Sequence, residues 1–249
     1  MRPDRGPWRW LLPAVFWLAV WWLASLIVGK ELLIPSPPLV ARTLLDLVVT
    51  SAFWRYTALT LLRITLGLGL GIALGVLTAL LTSRLTLLHA LLAPAIRVVR
   101  ATPVASFIIL VLLWVANGRV PAVISALVVL PVIWESTAAG LRSVDRDLLE
   151  FARAYRLTRL DTLRRIVLPS MLPQLSAAVC TAIGLAWKSG VAAEVLCLPR
   201  AAVGTQVYFS KLYLDTPALF AWTLVVVALS LTVERIARRL LLGRKGGGK

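Results

Sequence analysis

The run ALTLLRITLGLGLGIALGVLTALL, Ala58–Leu81, decides the class of fold. Its 24 residues carry a single charge. As a helix they extend about 36 Å at 1.5 Å per residue, enough to cross a hydrocarbon layer of about 30 Å. Gly67, Gly71, Gly75 and Ala79 recur every fourth position. They therefore share one helix face, and small residues at that spacing let a second helix come close. A packing seam is expected there.

Five further apolar runs flank this one: Trp10–Val28, Ala101–Ala116 (extended backwards through Leu91–Arg100), Val120–Leu141, Ser170–Ala193 and Ala218–Leu242. Hydrophobic residues make up 59% of the 249 and charged ones 15%, with mean hydropathy +0.87. A soluble core of this size cannot hide that much apolar surface, which excludes an aqueous globular enzyme. The expected fold is an all-α polytopic membrane protein of about six transmembrane helices. Ile34-Pro-Ser-Pro-Pro38 reads as an extended connection, because proline lacks the N–H a helix needs. Leu39–Val49 reads as a short interfacial helix.

Net charge is +16, from 27 Lys and Arg against 11 Asp and Glu. The basic residues sit in short clusters between apolar runs, with no aromatic-interleaved basic face, so a nucleic-acid partner is not expected. With both termini inside, nineteen of the 27 fall on the cytoplasmic side, among them Arg2, Arg5, Arg9, Arg244, Lys245 and Lys249. That bias predicts an N-in, C-in orientation. Cys180 and Cys197 form no CxxC pair, and the one histidine, His89, leaves no metal cluster to expect.

Leu141–Pro173 does not belong in a bilayer. It holds seven arginines and four acids, yet Leu148, Ala152 and Tyr155 fall at i, i+4 and i+7, with Leu149 and Phe151 widening the apolar stripe. Arg146, Glu150 and Arg153 occupy a more polar side. Periodicity alone leaves two possibilities equal: a helix docked against protein, or one lying on anionic lipid.

Within this loop, Glu150-Phe-Ala152, Arg156 and Ile166-Val-Leu168-Pro169 stand at the spacing of the EAA loop. That loop is Glu-Ala-Ala, three residues, Gly, nine residues, Ile-x-Leu-Pro, and the chain thereby resembles permease subunits of binding-protein-dependent ABC importers. Ile34-Pro-Ser-Pro, Ala186-Trp-Lys-Ser-Gly-Val-Ala-Ala-Glu194 and Leu212-Tyr-Leu-Asp-Thr-Pro-x-Leu-Phe-Ala-Trp222 are similar to the nitrate/sulfonate/taurine-type subfamily. Arg156 departs from the family glycine. The resemblance implies a type I ABC importer permease fold, one domain over 1–249, and a cytoplasmic coupling loop over about 142–169. It also implies cytoplasmic ATPase subunits, an extracytoplasmic binding protein, a second permease copy and a bacterial plasma membrane location. Leu148, Glu150, Ala152, Arg153, Tyr155, Arg156, Ile166, Leu168 and Pro169 would be the ATPase-coupling residues. No phosphate loop of the G-x-x-x-x-G-K-[ST] type occurs in the sequence, so ATP and Mg are expected on the partner and no cofactor on this chain.

Charge within a span is expensive and marks a pathway or a partner. Glu135, Lys188 and Glu194, with Trp187, are therefore candidates for the translocation path. The alternative for Lys188 is a structural ion pair with Glu135. An ion-driven secondary transporter would call for an internal repeat of spans, and an intramembrane enzyme for hydrolytic groups that are scarce here. The subfamily points to a small anion such as nitrate, a sulfonate or taurine as cargo; a heterocyclic vitamin precursor is the alternative.

Overall fold

The computed structural model describes residues 8–242, with side chains from 11 to 239. Arg2, Arg5, Arg244, Lys245 and Lys249 lie outside the described residues, as does the side chain of Arg9. Among the described residues every regular element is helical. The order is α1 (Trp8–Val28), α2 (Pro37–Val48), α3 (Ser51–Arg84), α4 (Thr86–Ala101), α5 (Val104–Leu112), α6 (Val120–Arg142), α7 (Arg146–Ala154) and α8 (Arg159–Thr162). A π turn over Leu163–Val167 leads into α9 (Leu168–Cys197), followed by α10 (Val203–Leu212) and α11 (Thr216–Leu242).

Five of these are long and apolar enough to cross a membrane: α1, α3, α6, α9 and α11. α4 and α5 are together apolar and long enough for a sixth, but they are not the continuous helix expected from Leu91 to Ala116. The two pieces meet at 106°. Pro103 is the cause. Its ring disfavours the helical region for Thr102, which is extended at φ −77°, ψ 131°. The Thr102 N–H and hydroxyl both donate to the Val98 carbonyl, at 3.0 and 2.8 Å, closing the last turn before the break.

The core is a three-helix junction of α3, α6 and α9, which pack along one another. Gly67, Gly71 and Gly75 are buried where α3 meets α6. A Cβ on Gly67 would sit 2.2 Å from the Ala122 carbonyl oxygen, and one on Gly71 2.7 Å from Val129 Cβ. Neither distance is physically accessible, so the close approach of α3 and α6 requires glycine at both positions. Ala79 is fully buried on the same face. Ile64, Val129, Ile133, Ala182 and Ala186 fill the junction. His89 of α4 stacks on Trp134 of α6, whose indole N–H donates to Thr82 of α3 at 3.0 Å.

α1 stands apart, with its apolar surface almost wholly open, as a lipid-facing helix does. It is tied by Trp21 and Ser25, which donate to the carbonyls of Pro35 and Ile34, to a connection shorter than expected. Pro37 and Pro38 are not extended but form the first turn of α2, where a missing N–H costs nothing. Trp21 also stacks on Phe220 of α11.

Candidate functional site

The loop between α6 and α9 folds into a capped helical unit with a small core of its own. Asp145 caps α7, its carboxylate accepting from the Asp147 N–H at 2.9 Å. At the other end the Leu157 N–H donates to the Ala152 carbonyl at 2.9 Å and the Arg156 N–H to the Arg153 carbonyl at 3.0 Å. This is a Schellman closure, and it places Arg156 in the left-handed region at φ +53°. The backbone requirement that glycine meets in the family is thus still present here, and an arginine bears it. Arg156→Gly should raise stability by about 1 kcal/mol, less the added unfolded-state freedom of glycine. The check is the thermal unfolding midpoint of purified protein; a fall would mean that arginine contacts outweigh the backbone strain.

The expected apolar stripe divides in two. Ala152 and Leu149 turn inward, onto a small core with Val144, Ile166 and Met171. Leu148, Phe151 and Tyr155 face outward, 45%, 53% and 68% exposed, with the two aromatic rings 4.2 Å apart. Ala152 and Ile166, both expected to touch a partner, are instead buried anchors for α7. Leu168 and Pro169 are exposed in the first turn of α9. Glu150 is exposed and, among the described residues, has no ion-pair partner. Arg153 points away from the aromatic pair, into a cleft with Arg84 of α3 and Arg159 of α8.

The in-span candidates do not form one site. Trp187 is buried, its N–H donating to the Val226 carbonyl of α11 at 3.2 Å, which makes it a packing residue and removes it from any open path. Glu194 is also fully buried, in a polar node that the sequence reading missed. The Thr60 hydroxyl lies 2.9 Å from both of its carboxylate oxygens, the Gly204 N–H donates to it at 3.1 Å, and Arg63 stands 3.5 Å away.

The node solves a local problem. α9 ends at Cys197, and Leu198 and Ala201 in the following turn both have positive φ. Carbonyls freed at a helix end cost several kcal/mol where water is excluded. Asn117 donates to Cys197 O, Thr205 to Pro199 O, and Arg63 to the carbonyls of Arg200 and Ala201. The N-terminus of α10 begins at Ala202, which has no capping side chain; Glu194 and Thr60 accept from the Gly204 and Val203 N–H groups in its place. Arg63 was detectable as the lone charge in the Ala58–Leu81 run, since such a charge demands a partner.

Glu135 and Lys188 remain on the open face. The proposed ion pair between them is corrected: Glu135 pairs with Arg100, at the last turn of α4 beside the bend. A cleft of about 410 Å³ lies there, lined by Arg100, Glu135, Phe107, Thr181 and Leu185 among others. Thr181, Leu185 and Lys188 follow i, i+4, i+7 on α9, so Lys188, which is exposed, shares the face that lines the cleft. Among the described residues no group of His, Cys, Asp and Glu could hold a metal ion.

Comparison with known proteins accords with this architecture. Residues 71–243 match the family described as binding-protein-dependent transport system inner membrane component. The chain is 32% identical over 223 residues to the riboflavin transport system permease protein of Chloroflexus aurantiacus, covering 88% of this chain and 83% of that one. It is 25% identical over 253 residues to the taurine transport system permease protein of Escherichia coli, covering 95% and 91%. A putative aliphatic sulfonates permease protein of the same organism is 34% identical over 196 residues, covering 76% and 74%. In fold the chain is similar to one from the crystal structure of a bacterial alginate ABC transporter in complex with its alginate-bound periplasmic protein. There the TM-score is 0.66 at 15% identity, with 97% and 96% of the two chains covered. An amino acid ABC transporter gives a TM-score of 0.60 at 18% identity, covering 76% and 91%. With an all-helical type I permease fold and two thirds of its length matched, the chain belongs to the binding-protein-dependent transport family as a non-catalytic, multi-pass inner-membrane permease subunit of an ABC importer.

Proposed function

We propose that this chain, as one domain over 1–249, pairs with a second copy to form the path for a small anion. On this reading both termini are cytoplasmic, an extracytoplasmic binding protein delivers cargo, and α7 seats in an ATPase subunit that holds the ATP and Mg. The observation that carries it is the outward face of Leu148, Phe151 and Tyr155 on a helix fixed at both ends. Three adjoining exposed apolar side chains on a charged loop call for a cover, and the loop's likeness to the EAA loop favours protein over lipid as that cover.

Coupling follows from rigidity. When two ATPases close on nucleotide, each carries its seated α7, and the caps and the Ala152–Ile166 anchor pass that motion to α6 and α9. Nucleotide shifts the inward–outward balance only by its difference in affinity for the two states, so slack in α7 would waste it. Uptake by ATP-loaded vesicles that persists after ion gradients are collapsed supports this account. Uptake that follows the gradient and ignores ATP contradicts it.

An anionic cargo is supported by the taurine and sulfonate relatives and by the two cations on the open face, Arg100 and Lys188, against one acid, Glu135. Lys188→Met should cut anion uptake about tenfold with assembly unchanged, since one charge at short range is worth about 1.4 kcal/mol or more away from bulk water. Unaltered uptake would remove Lys188 from the path. The riboflavin permease relative favours a second cargo class, a heterocycle of flavin type, which transport competition by riboflavin against taurine would separate.

A further inference from the structure

We propose that the cleft between the end of α3 and the α7–α8 turn is a binding site for the headgroup of an anionic phospholipid. The cavity measures about 700 Å³. Three arginines line it, Arg84 in the last turn of α3, Arg153 in α7 and Arg159 at the start of α8. No carboxylate lines it, and none of the three is ion-paired to an acid among the described residues. The rest of the wall is mainly apolar, with Leu80, Leu141 and Leu160 contributing.

Leu80 and Leu141 belong to the final turns of two membrane-spanning helices, α3 and α6. The apolar wall therefore lies at the ends of two candidate spans, and three arginines line the same cleft. Acyl chain, glycerol and phosphate follow one another in that order in a phospholipid. A zwitterionic lipid would bring a cation of its own among three arginines, and a free anion would leave the leucine wall wet. An amphiphilic anion satisfies both, with guanidinium forks suited to phosphate oxygens. The cleft joins α3 to α7, so an occupant ties the projecting loop to the spans, independently of what α7 docks against.

The test is native mass spectrometry of the purified full-length chain offered equal amounts of phosphatidylglycerol and phosphatidylcholine. Preferential retention of phosphatidylglycerol is expected. In R84Q/R159Q that retention should fall roughly tenfold or more, because each arginine near a lipid surface contributes about a factor of five. R84K/R159K, which keeps the charge, should hold most of it and controls for folding. Equal retention of the two lipids, or an unchanged preference in R84Q/R159Q, overturns the proposal. Displacement of phosphatidylglycerol by soluble glycerol phosphate at equal concentration would assign the cleft to a free phosphate, and the lipid site falls.

Discussion

Glu150→Lys should leave insertion and membrane abundance unchanged while reducing ATP-driven uptake by about tenfold or more. Glu150 is exposed and unpaired within the described chain, so its reversal removes nothing from the fold. On α7 it lies between Arg146 at i−4 and Arg153 at i+3, with Asp147 at i−3 as the other acid near it. In the proposed assembly it meets a donor on the ATPase. A lysine there leaves that donor unpaired in a drying interface, a loss of about 2–5 kcal/mol. Transport assay and quantified membrane levels check this together. ATP hydrolysis that continues without uptake would be the sign of a slipped coupling, whereas full uptake at normal levels would remove Glu150 from the interface.

The second large effect belongs to Glu194→Ala, and it falls on the fold. Removing the carboxylate strips Arg63 of its counter-charge, leaving it the Arg200 and Ala201 carbonyls, and leaves the buried Gly204 N–H and Thr60 hydroxyl without an acceptor. Breaking a buried pair in this one-sided way costs about 3–5 kcal/mol. The variant should be depleted from the membrane, with protease sensitivity rising first around residues 198–204, where two non-glycine residues already hold positive φ. Glu194→Gln keeps an acceptor for Gly204 and should lose less. If Glu194→Ala accumulates normally and resists protease as the parent does, the node is not what holds α10.

These two residues mark how far the sequence could be read. Spans were legible because hydrocarbon thickness imposes length and composition on each helix, and the glycines of α3 were legible because close approach imposes a four-residue spacing. The bend at Pro103 was not, since an apolar run has the same hydropathy whether straight or broken. α7 was placed correctly as a helix, but periodicity gives the width of a stripe and not which half the chain covers itself. Hence Ala152 and Leu149 of the stripe lie inward while Leu148, Phe151 and Tyr155 are exposed, and Ile166, a coupling residue only by the loop's resemblance, is buried beneath them.

α10 escaped notice because Val203–Leu212 mixes polar and apolar residues without a clear face. The partnership of Thr60 with Glu194 spans 134 residues and leaves no local trace. Only the cost of a lone charge in a span hinted at it. Glu135 pairs with Arg100 and not with Lys188, because Arg100 reaches it through the same bend that the hydropathy conceals.

The most direct measurement places a photo-activated cross-linker at Phe151 in intact inner-membrane vesicles and identifies what it captures. Residue 151 sits at the centre of the outward apolar cluster. A single adduct with a cytoplasmic ATPase subunit, with a yield that changes on nucleotide addition, is the expected outcome. Adducts with phospholipid alone, unaffected by nucleotide, would mean that α7 lies on the bilayer and that this permease is not driven through it.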